Sequence, residues 1–305
     1  MIVPAPGAHG GDARALARAV GVDPSQMLDL SASLNPFAPD PASIVARHLA
    51  ALHDYPDATA ATEVLADAIG VSTERLVLTN GGAEAIALVA GLVGTGHVVE
   101  PEFSLYRRHL AVVDERAGRW RSNPASPLGS LAEPDEHADV WDEAFYPLAA
   151  GTWTRGDEHS WRLGSLTKLW SCPGLRLGFI IAPDVKRADA VRNRQPGWSV
   201  NGLALAALPH FLSVTDLPGW AQAIGTLRRR FVNELHLLGL RVTASCANWV
   251  LVHDQPELRT RLAPRGIAIR DCASFGLTGT MRIALPHPRD LDRVVAEIAS
   301  MQAAP

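Results

Sequence analysis

Ser165-Leu-Thr-Lys168-Leu-Trp-Ser-Cys-Pro-Gly174-Leu-Arg176-Leu-Gly178 sets one lysine between a hydroxyl three residues before it and an arginine eight residues after it. A lysine amine condenses with an aldehyde cofactor to a Schiff base. Ser165 offers a hydroxyl donor and Arg176 a planar cationic fork, and both suit a phosphate dianion. Gly174 is expected at the turn that returns Arg176 toward Lys168. Gly178 opens Phe179-Ile-Ile-Ala182, an apolar run of buried-strand type. The segment reads as an anchor for pyridoxal 5'-phosphate, an aldehyde cofactor that also carries a phosphate. The alternative is a solvated lysine and arginine flanking a strand.

Two further segments agree with that reading. In Leu76-Val-Leu-Thr-Asn80-Gly81-Gly82-Ala83-Glu84, a short apolar strand runs through a Gly-Gly turn into a strongly apolar helix. The unpaired N–H groups at such a helix start form an anion site, and glycine lets a phosphate approach the backbone. Alone, Gly-Gly before a helix is more often only a turn; together with Ser165 and Arg176 it makes the other wall of a phosphate cup. In Ala138-Asp-Val-Trp-Asp142-Glu143-Ala-Phe145-Tyr146, two acids follow a short apolar approach to a strand end. A carboxylate there would keep the cofactor ring nitrogen protonated, so that the ring can accept the electron pair left when a bond to the substrate Cα breaks. A helix-capping Asp-Glu pair is the competing reading.

Bulk properties fit a cytoplasmic enzyme. The chain has 305 residues, 47% hydrophobic, enough for a large core and more than most single domains hold. A net charge of −4 gives no basic field for nucleic acid, and Arg228, Arg229 and Arg230, the only tight basic run, read as a solvated helix face. Cys172, Cys246 and Cys272 are odd in number and lack metal spacing, so neither disulfides nor a metal site is expected. The first residues have neither a charged lead nor a long apolar core, and no apolar run approaches the roughly 18 residues of a membrane span.

The order of elements argues for an α/β protein. The first forty residues, rich in Pro and Gly after an amphipathic piece around Ala13 to Val20, read as an arm that packs over the active site. Thr59 to Ile69 reads as a helix stopped by Gly70, and residues 76 to about 205 alternate short apolar strands with helices, the pattern of a mainly parallel sheet. Pro209 to Pro218 reads as loop, followed by a long helix from about Gly219 to Leu238. Strands at Arg241–Ala244, Asn248–His253, Ile267–Arg270 and Met281–Ala284, with helices near 256–264 and 289–301, then make a smaller α+β domain. The division is residues 1–40 as an arm packing with the small domain, 41–218 as the large cofactor-binding domain, and 219–305 as the small domain.

These residues carry a resemblance. With His9-Gly10-Gly11-Asp12, Leu28-Asp-Leu-Ser-Ala-Ser33-Leu-Asn35-Pro36, Tyr55-Pro56-Asp57, Trp198-Ser-Val-Asn201 and Ala247-Asn248-Trp249 in order along the chain, it resembles the fold-type I pyridoxal-phosphate enzymes of the histidinol-phosphate aminotransferase group. Within that group it is most similar to the decarboxylases of threonine phosphate in cobalamin synthesis. The resemblance spans about residues 8 to 285. It implies an aspartate-aminotransferase-like architecture and, residue by residue, a set of roles. Lys168 is the Schiff-base lysine and Asp142 the partner of the pyridinium nitrogen; Gly81, Gly82, Ala83, Ser165 and Arg176 line the phosphate cup. Phe103 stacks on the ring, which suits an electron-poor pyridinium. Tyr55 reaches the cofactor phosphate of a neighbouring subunit, which implies a homodimer with shared active sites. Arg282 forks the substrate α-carboxylate, Arg270 makes a second anion contact, and His9 and Asn35 help hold the substrate's own phosphate.

The chain departs from the family pattern in two places. The family's Asn-Asn-Pro-Thr-Gly stretch stands here as Asn123-Pro-Ala-Ser126-Pro127-Leu-Gly129, with serine where asparagine bonds the cofactor ring oxygen. A hydroxyl can still donate there but reaches less far. The gaps from Phe103 to Asn123 and from Gly129 to Asp142 are short, so at least one strand–helix unit of the large sheet is expected to be missing. Phe145 stands where aminotransferases of the group often carry a tyrosine, and this agrees with the decarboxylase side. The expected activity is decarboxylation of L-threonine O-3-phosphate to (R)-1-amino-2-propanol O-2-phosphate. The alternatives are transamination of histidinol phosphate or a similar amine phosphate, and a cofactor-binding protein with weak or no turnover.

Overall fold

The computed structural model describes residues 3–5, 7 and 10–302, so His9 lies outside the described residues. The chain forms two compact units, one holding residues up to Phe37, Pro127–Ser130 and the chain from Gln222 on, the other holding Ala38–Ser126 and Leu131–Ala221.

The second unit is built on a seven-stranded sheet. Its strands are β1 (Leu76–Thr79), β2 (Thr95–Val98), β3 (Val112–Val113), β4 (Arg119–Ser122), β5 (Val140–Asp142), β6 (Trp161–Ser165) and β7 (Gly178–Ile181), in spatial order β1-β7-β6-β5-β4-β2-β3. Neighbours from β6 to β3 run parallel, whereas β7 is antiparallel to both β1 and β6. β1, β5 and β7 are buried at every residue, as strands covered on both faces must be. The apolar helix Gly81–Val93 packs Ala85, Ile86, Val89 and Ala90 into a core shared with Val98, Trp120, Val140, Leu163 and Ile180. The short gaps noted in the sequence fall on connections. β3 has only two residues, and the parallel step from β4 to β5 is crossed by residues 123–139 without a helix. Among the described residues this sheet has seven strands, and no helix stands between β4 and β5.

In the first unit, the strands Val242–Ala244, Trp249–Val252, Arg270–Asp271 and Met281–Ala284 form an antiparallel sheet, and Leu28–Asp29 pairs in parallel with Ile267–Ala268. The expected single strand Ile267–Arg270 is thus two short ones serving different sheets. Helix Ala13–Val20 buries Ala13, Leu16, Ala17 and Val20 on one stripe and ends at Gly21 in the left-handed conformation. Residues 127–130, expected in the large domain, cluster here: Trp249 Nε1 donates to the Pro127 carbonyl (2.8 Å) and Cys246 N–H to that of Gly129 (2.7 Å).

Three local expectations need correction. Pro209 is not in a loop but inside the helix Gly202–Ser213, which buries Ala204, Leu205, Ala207, Leu208 and Phe211. Packing of that face, with Phe211 stacked on Trp170 at 4.9 Å, outweighs the one backbone hydrogen bond a proline removes. Gly174 lies in a 3₁₀ turn, Pro173–Leu175, and the left-handed residues of the segment are Ser171 (φ 49°) and Arg176 (φ 54°). Arg228 is not solvated like its neighbours, because its Nη1 donates to the Cys246 and Ala247 carbonyls (3.1 and 2.8 Å).

Candidate active site

The carboxyl ends of the parallel strands carry the cofactor candidates, the position where open α/β sheets present ligand sites. Ser165 ends β6 and sits opposite Gly178, which is also opposite Thr79 at the end of β1. The chain leaves β1 through Asn80 and enters the helix at Gly81. A Cβ on Gly81 would lie 2.5 Å from Arg176 Nη2, on Gly82 3.3 Å from the Ser165 Cβ, and on Gly178 2.7 Å from the Gly81 carbonyl carbon. Three glycines therefore let Arg176, Ser165 and the N-terminal turn of the helix Gly81–Val93 converge on one small volume. Gly81 also has φ +76°, where a side chain is strained. Ala83 lies in the same first turn, whose backbone N–H groups have no intrahelical acceptor.

Lys168 follows within one turn of Ser165, half-buried, with Nζ 5.9 Å from the centre of the Phe145 ring. Ser165 Oγ shares a 2.9 Å hydrogen bond with Thr167 Oγ1. Asp142 ends β5, buried, its Oδ2 accepting from the Tyr106 hydroxyl at 2.8 Å and its Oδ1 from the Ala144 N–H at 3.0 Å. Burial raises its pKa, and the Tyr106 and Ala144 donors pull it partly back. Glu143, the other acid, is committed elsewhere: its carboxylate accepts from Thr154 Oγ1 (2.6 Å) and the Arg155 N–H (2.8 Å), and burial pushes it up to about 7. Ser126 is buried beyond the end of β4, and its N–H donates to Ser122 Oγ at 2.7 Å. Phe103 meets Tyr106 edge-on at 5.9 Å. Tyr55 makes its ring contact with Trp198 at 4.8 Å and is 79% exposed.

Several contributors had no role in the sequence reading. Tyr106 bonds Asp142, and Glu102 accepts from the backbone of both Phe103 and Ser122. Asn201 caps its helix and donates to the Leu175 carbonyl at 2.6 Å, fixing the residue before Arg176. The sequence signal for Glu102 and Tyr106 was only their nearness to Phe103, and for Asn201 its place in Trp198-Ser-Val-Asn201.

The first unit holds the substrate candidates. Arg270 and Arg282 stand directly opposite one another on paired strands, 3% and 8% exposed. Arg270 donates to the Gly7 carbonyl (2.8 Å) and to Ser274 Oγ (2.7 Å). Arg282 lies 5.0 Å above the Trp249 ring, and burial lowers its pKa to about 10. Its Nε has no hydrogen-bond partner among the described residues. A buried guanidinium of this kind calls for an anion. Asn35 is buried with Oδ1 accepting the Phe37 N–H (3.0 Å). Gly10 and Gly11 pack on Ser31, where a Gly10 Cβ would lie 2.2 Å from the carbonyl oxygen.

The second unit's donor set fits pyridoxal 5'-phosphate: a glycine-floored anion cradle, a lysine one turn beyond it, and a buried carboxylate at the neighbouring strand end. Comparison with known proteins agrees. The family model "Aminotransferase class I and II" matches residues 120–298. The threonine-phosphate decarboxylase of Salmonella typhimurium is 30% identical over 96% of each chain, and a histidinol-phosphate aminotransferase of Halobacterium salinarum is 28% identical over 92% of each. The crystal structure of histidinol-phosphate aminotransferase from Sinorhizobium meliloti in complex with pyridoxal-5'-phosphate superposes with a TM-score of 0.82 at 18% identity, covering 94% of both chains, which shows the shared fold. With its anion cradle, lysine and strand-end carboxylate, the chain belongs to the class I and II aminotransferase family, and it is a pyridoxal 5'-phosphate-dependent enzyme.

Proposed function

We propose that the enzyme decarboxylates L-threonine O-3-phosphate to (R)-1-amino-2-propanol O-2-phosphate, a step of cobalamin synthesis. The observation that carries the reading is the pair of buried arginines facing each other across two strands, Arg270 and Arg282, which calls for a small anionic substrate. The full-length likeness to a threonine-phosphate decarboxylase supports this substrate over histidinol phosphate.

In this reading Arg282 forks the substrate carboxylate, while Arg270, Asn35 and His9 take the substrate phosphate. Gly81, Gly82, Ala83, Ser165 and Arg176 would bind the cofactor phosphate, Phe103 would face its ring, and Ser126 would donate to its ring oxygen. Lys168 would hold the cofactor through its aldehyde carbon. The bound cofactor supplies an electron-poor ring that takes up the electron pair left on Cα when CO2 departs. Asp142, ionised and held by Tyr106, keeps the proton on the ring nitrogen. A proton then takes the place of the carboxylate on Cα. The enzyme is further proposed to act as a homodimer in the cytoplasm, with Tyr55 reaching the partner's cofactor phosphate; the exposure of Tyr55, Leu52 and Trp198 supports a covered face there. Among the described residues no helix is long and apolar enough to cross a membrane.

The test is product analysis. Threonine phosphate should yield CO2 and aminopropanol phosphate without an oxo-acid acceptor, and plain threonine should react far more slowly. Losing the phosphate removes the anion that Arg270, Asn35 and His9 would hold, typically a loss of several kcal/mol in the transition state. Amino transfer from histidinol phosphate to 2-oxoglutarate that is faster by about an order of magnitude, a difference of about 1.4 kcal/mol in barrier, would establish the aminotransferase reading instead.

A further inference from the structure

Glu102 follows Pro101 in the loop after β2 and is 5% exposed. Its Oε1 accepts the Ser122 N–H at 2.9 Å; its Oε2 accepts the Ser122 hydroxyl at 2.6 Å and the Phe103 N–H at 3.0 Å. The same Ser122 oxygen accepts the Ser126 N–H at 2.7 Å. One buried carboxyl thus pins the backbone of Phe103 directly and that of Ser126 through a single hydroxyl.

We propose that Glu102 is a positioning residue of the cofactor wall, holding Phe103 and Ser126 in place and setting a second carboxyl beside Asp142 whose charge governs how tightly the bound cofactor keeps its proton. The proposal rests on the assignment of Phe103, Ser126 and Asp142 to the cofactor. Ser126 replaces a longer side chain of the family motif, and a shorter donor works only if its backbone is fixed at the right distance. The Glu102–Ser122 bridge supplies that restraint.

The electrostatics point the same way. Ser122 and Asp142 are register partners on β4 and β5, and Tyr106 bonds Asp142. Asp142 and Tyr106 are the ionisable groups facing Glu102 across this space, while Glu100 accepts the Glu102 N–H (2.8 Å) and pairs with Arg107. Burial first, and the charge of Asp142 last, raise Glu102 to about 7, so it is neutral below that pH and anionic above it. Anionic Glu102 adds negative potential beside the cofactor and favours its protonated form.

Glu102→Gln tests this in the holoenzyme. The absorbance of the bound cofactor, followed from pH 5 to 9, should show its deprotonation about one pH unit lower in the variant than in the wild type. The wild type should show an inflection near pH 7 that the variant lacks. Ser122→Ala, which removes the hydroxyl that links Glu102 to the Ser126 N–H, should weaken cofactor affinity roughly tenfold. Borohydride fixation on Lys168 serves as the control in all three proteins. Fixation with coincident titrations, or with unchanged affinity in Ser122→Ala, overturns the role of Glu102 alone. Failure to fix cofactor on wild-type Lys168 overturns the cofactor assignment beneath it.

Discussion

At the scale of single residues, the neighbouring acids Asp142 and Glu143 have opposite fates. Asp142 accepts from the Tyr106 hydroxyl and the Ala144 N–H at the end of its strand. Glu143 spends its carboxylate on Thr154 and Arg155. Burial raises the pKa of both, so each is easier to protonate than in water. For Asp142, the protonated ring nitrogen of a bound cofactor would oppose that shift and favour the anion. Replacing Asp142 with Ala should leave cofactor bound but lower kcat roughly 10² to 10⁴-fold, because the ring nitrogen loses its counter-charge. Steady-state kinetics beside a cofactor-binding titration checks this, and near-normal turnover would remove Asp142 from the chemistry. The same carboxylate was visible in the sequence as an acid after an apolar strand. Its two donors were not, because Tyr106 comes from a helix 36 residues away.

At the scale of elements, the glycines separate what sequence could tell from what it could not. Gly81 and Gly82 read in the sequence as letting a phosphate approach the backbone, whereas Gly178 reads only as the opening of a buried strand, and the strand register shows its further role. β7 runs antiparallel between β1 and β6, so Gly178 must pass between the turn after β1 and the end of β6. A methyl group on Gly178 meets only backbone atoms, at 2.7 to 2.8 Å, and nothing flexible can yield. Gly178→Ala should therefore destabilise the protein by roughly 2–4 kcal/mol and abolish cofactor binding. Gly174→Ala, at a site with nothing within 4 Å, should stay within about 0.5 kcal/mol of wild type. Thermal melts of the two variants make the comparison, and equal losses would contradict it. Gly174 misled because a glycine beside an expected turn looks like the turn residue, whereas Arg176 itself takes the left-handed conformation. Pro209 misled for a related reason: local propensity marks a break, and the buried face of Gly202–Ser213 overrides it.

At the scale of the whole molecule, the order of motifs along the chain was enough to read an α/β architecture with a cofactor cup, because strand–glycine–helix and serine–lysine–arginine spacings are local. Helix Thr59–Ile69 and strand Met281–Ala284 were legible to the residue, each being a strongly patterned run between clear stops. The membership of residues 127–130 in the first unit was not legible, since it depends on hydrogen bonds to Trp249 and Cys246 from distant sequence. Nor was the fate of the short gaps, because spacing shows how many residues are missing and not whether a strand or a helix has gone. Every role assigned to the cup requires that the cofactor be joined to one lysine of this chain. Reduction of the holoenzyme with borohydride, followed by mass spectrometry of the intact chain and its peptides, measures that directly. The account predicts a single pyridoxyl phosphate on the peptide carrying Lys168; no adduct, or an adduct on Lys186, would contradict it.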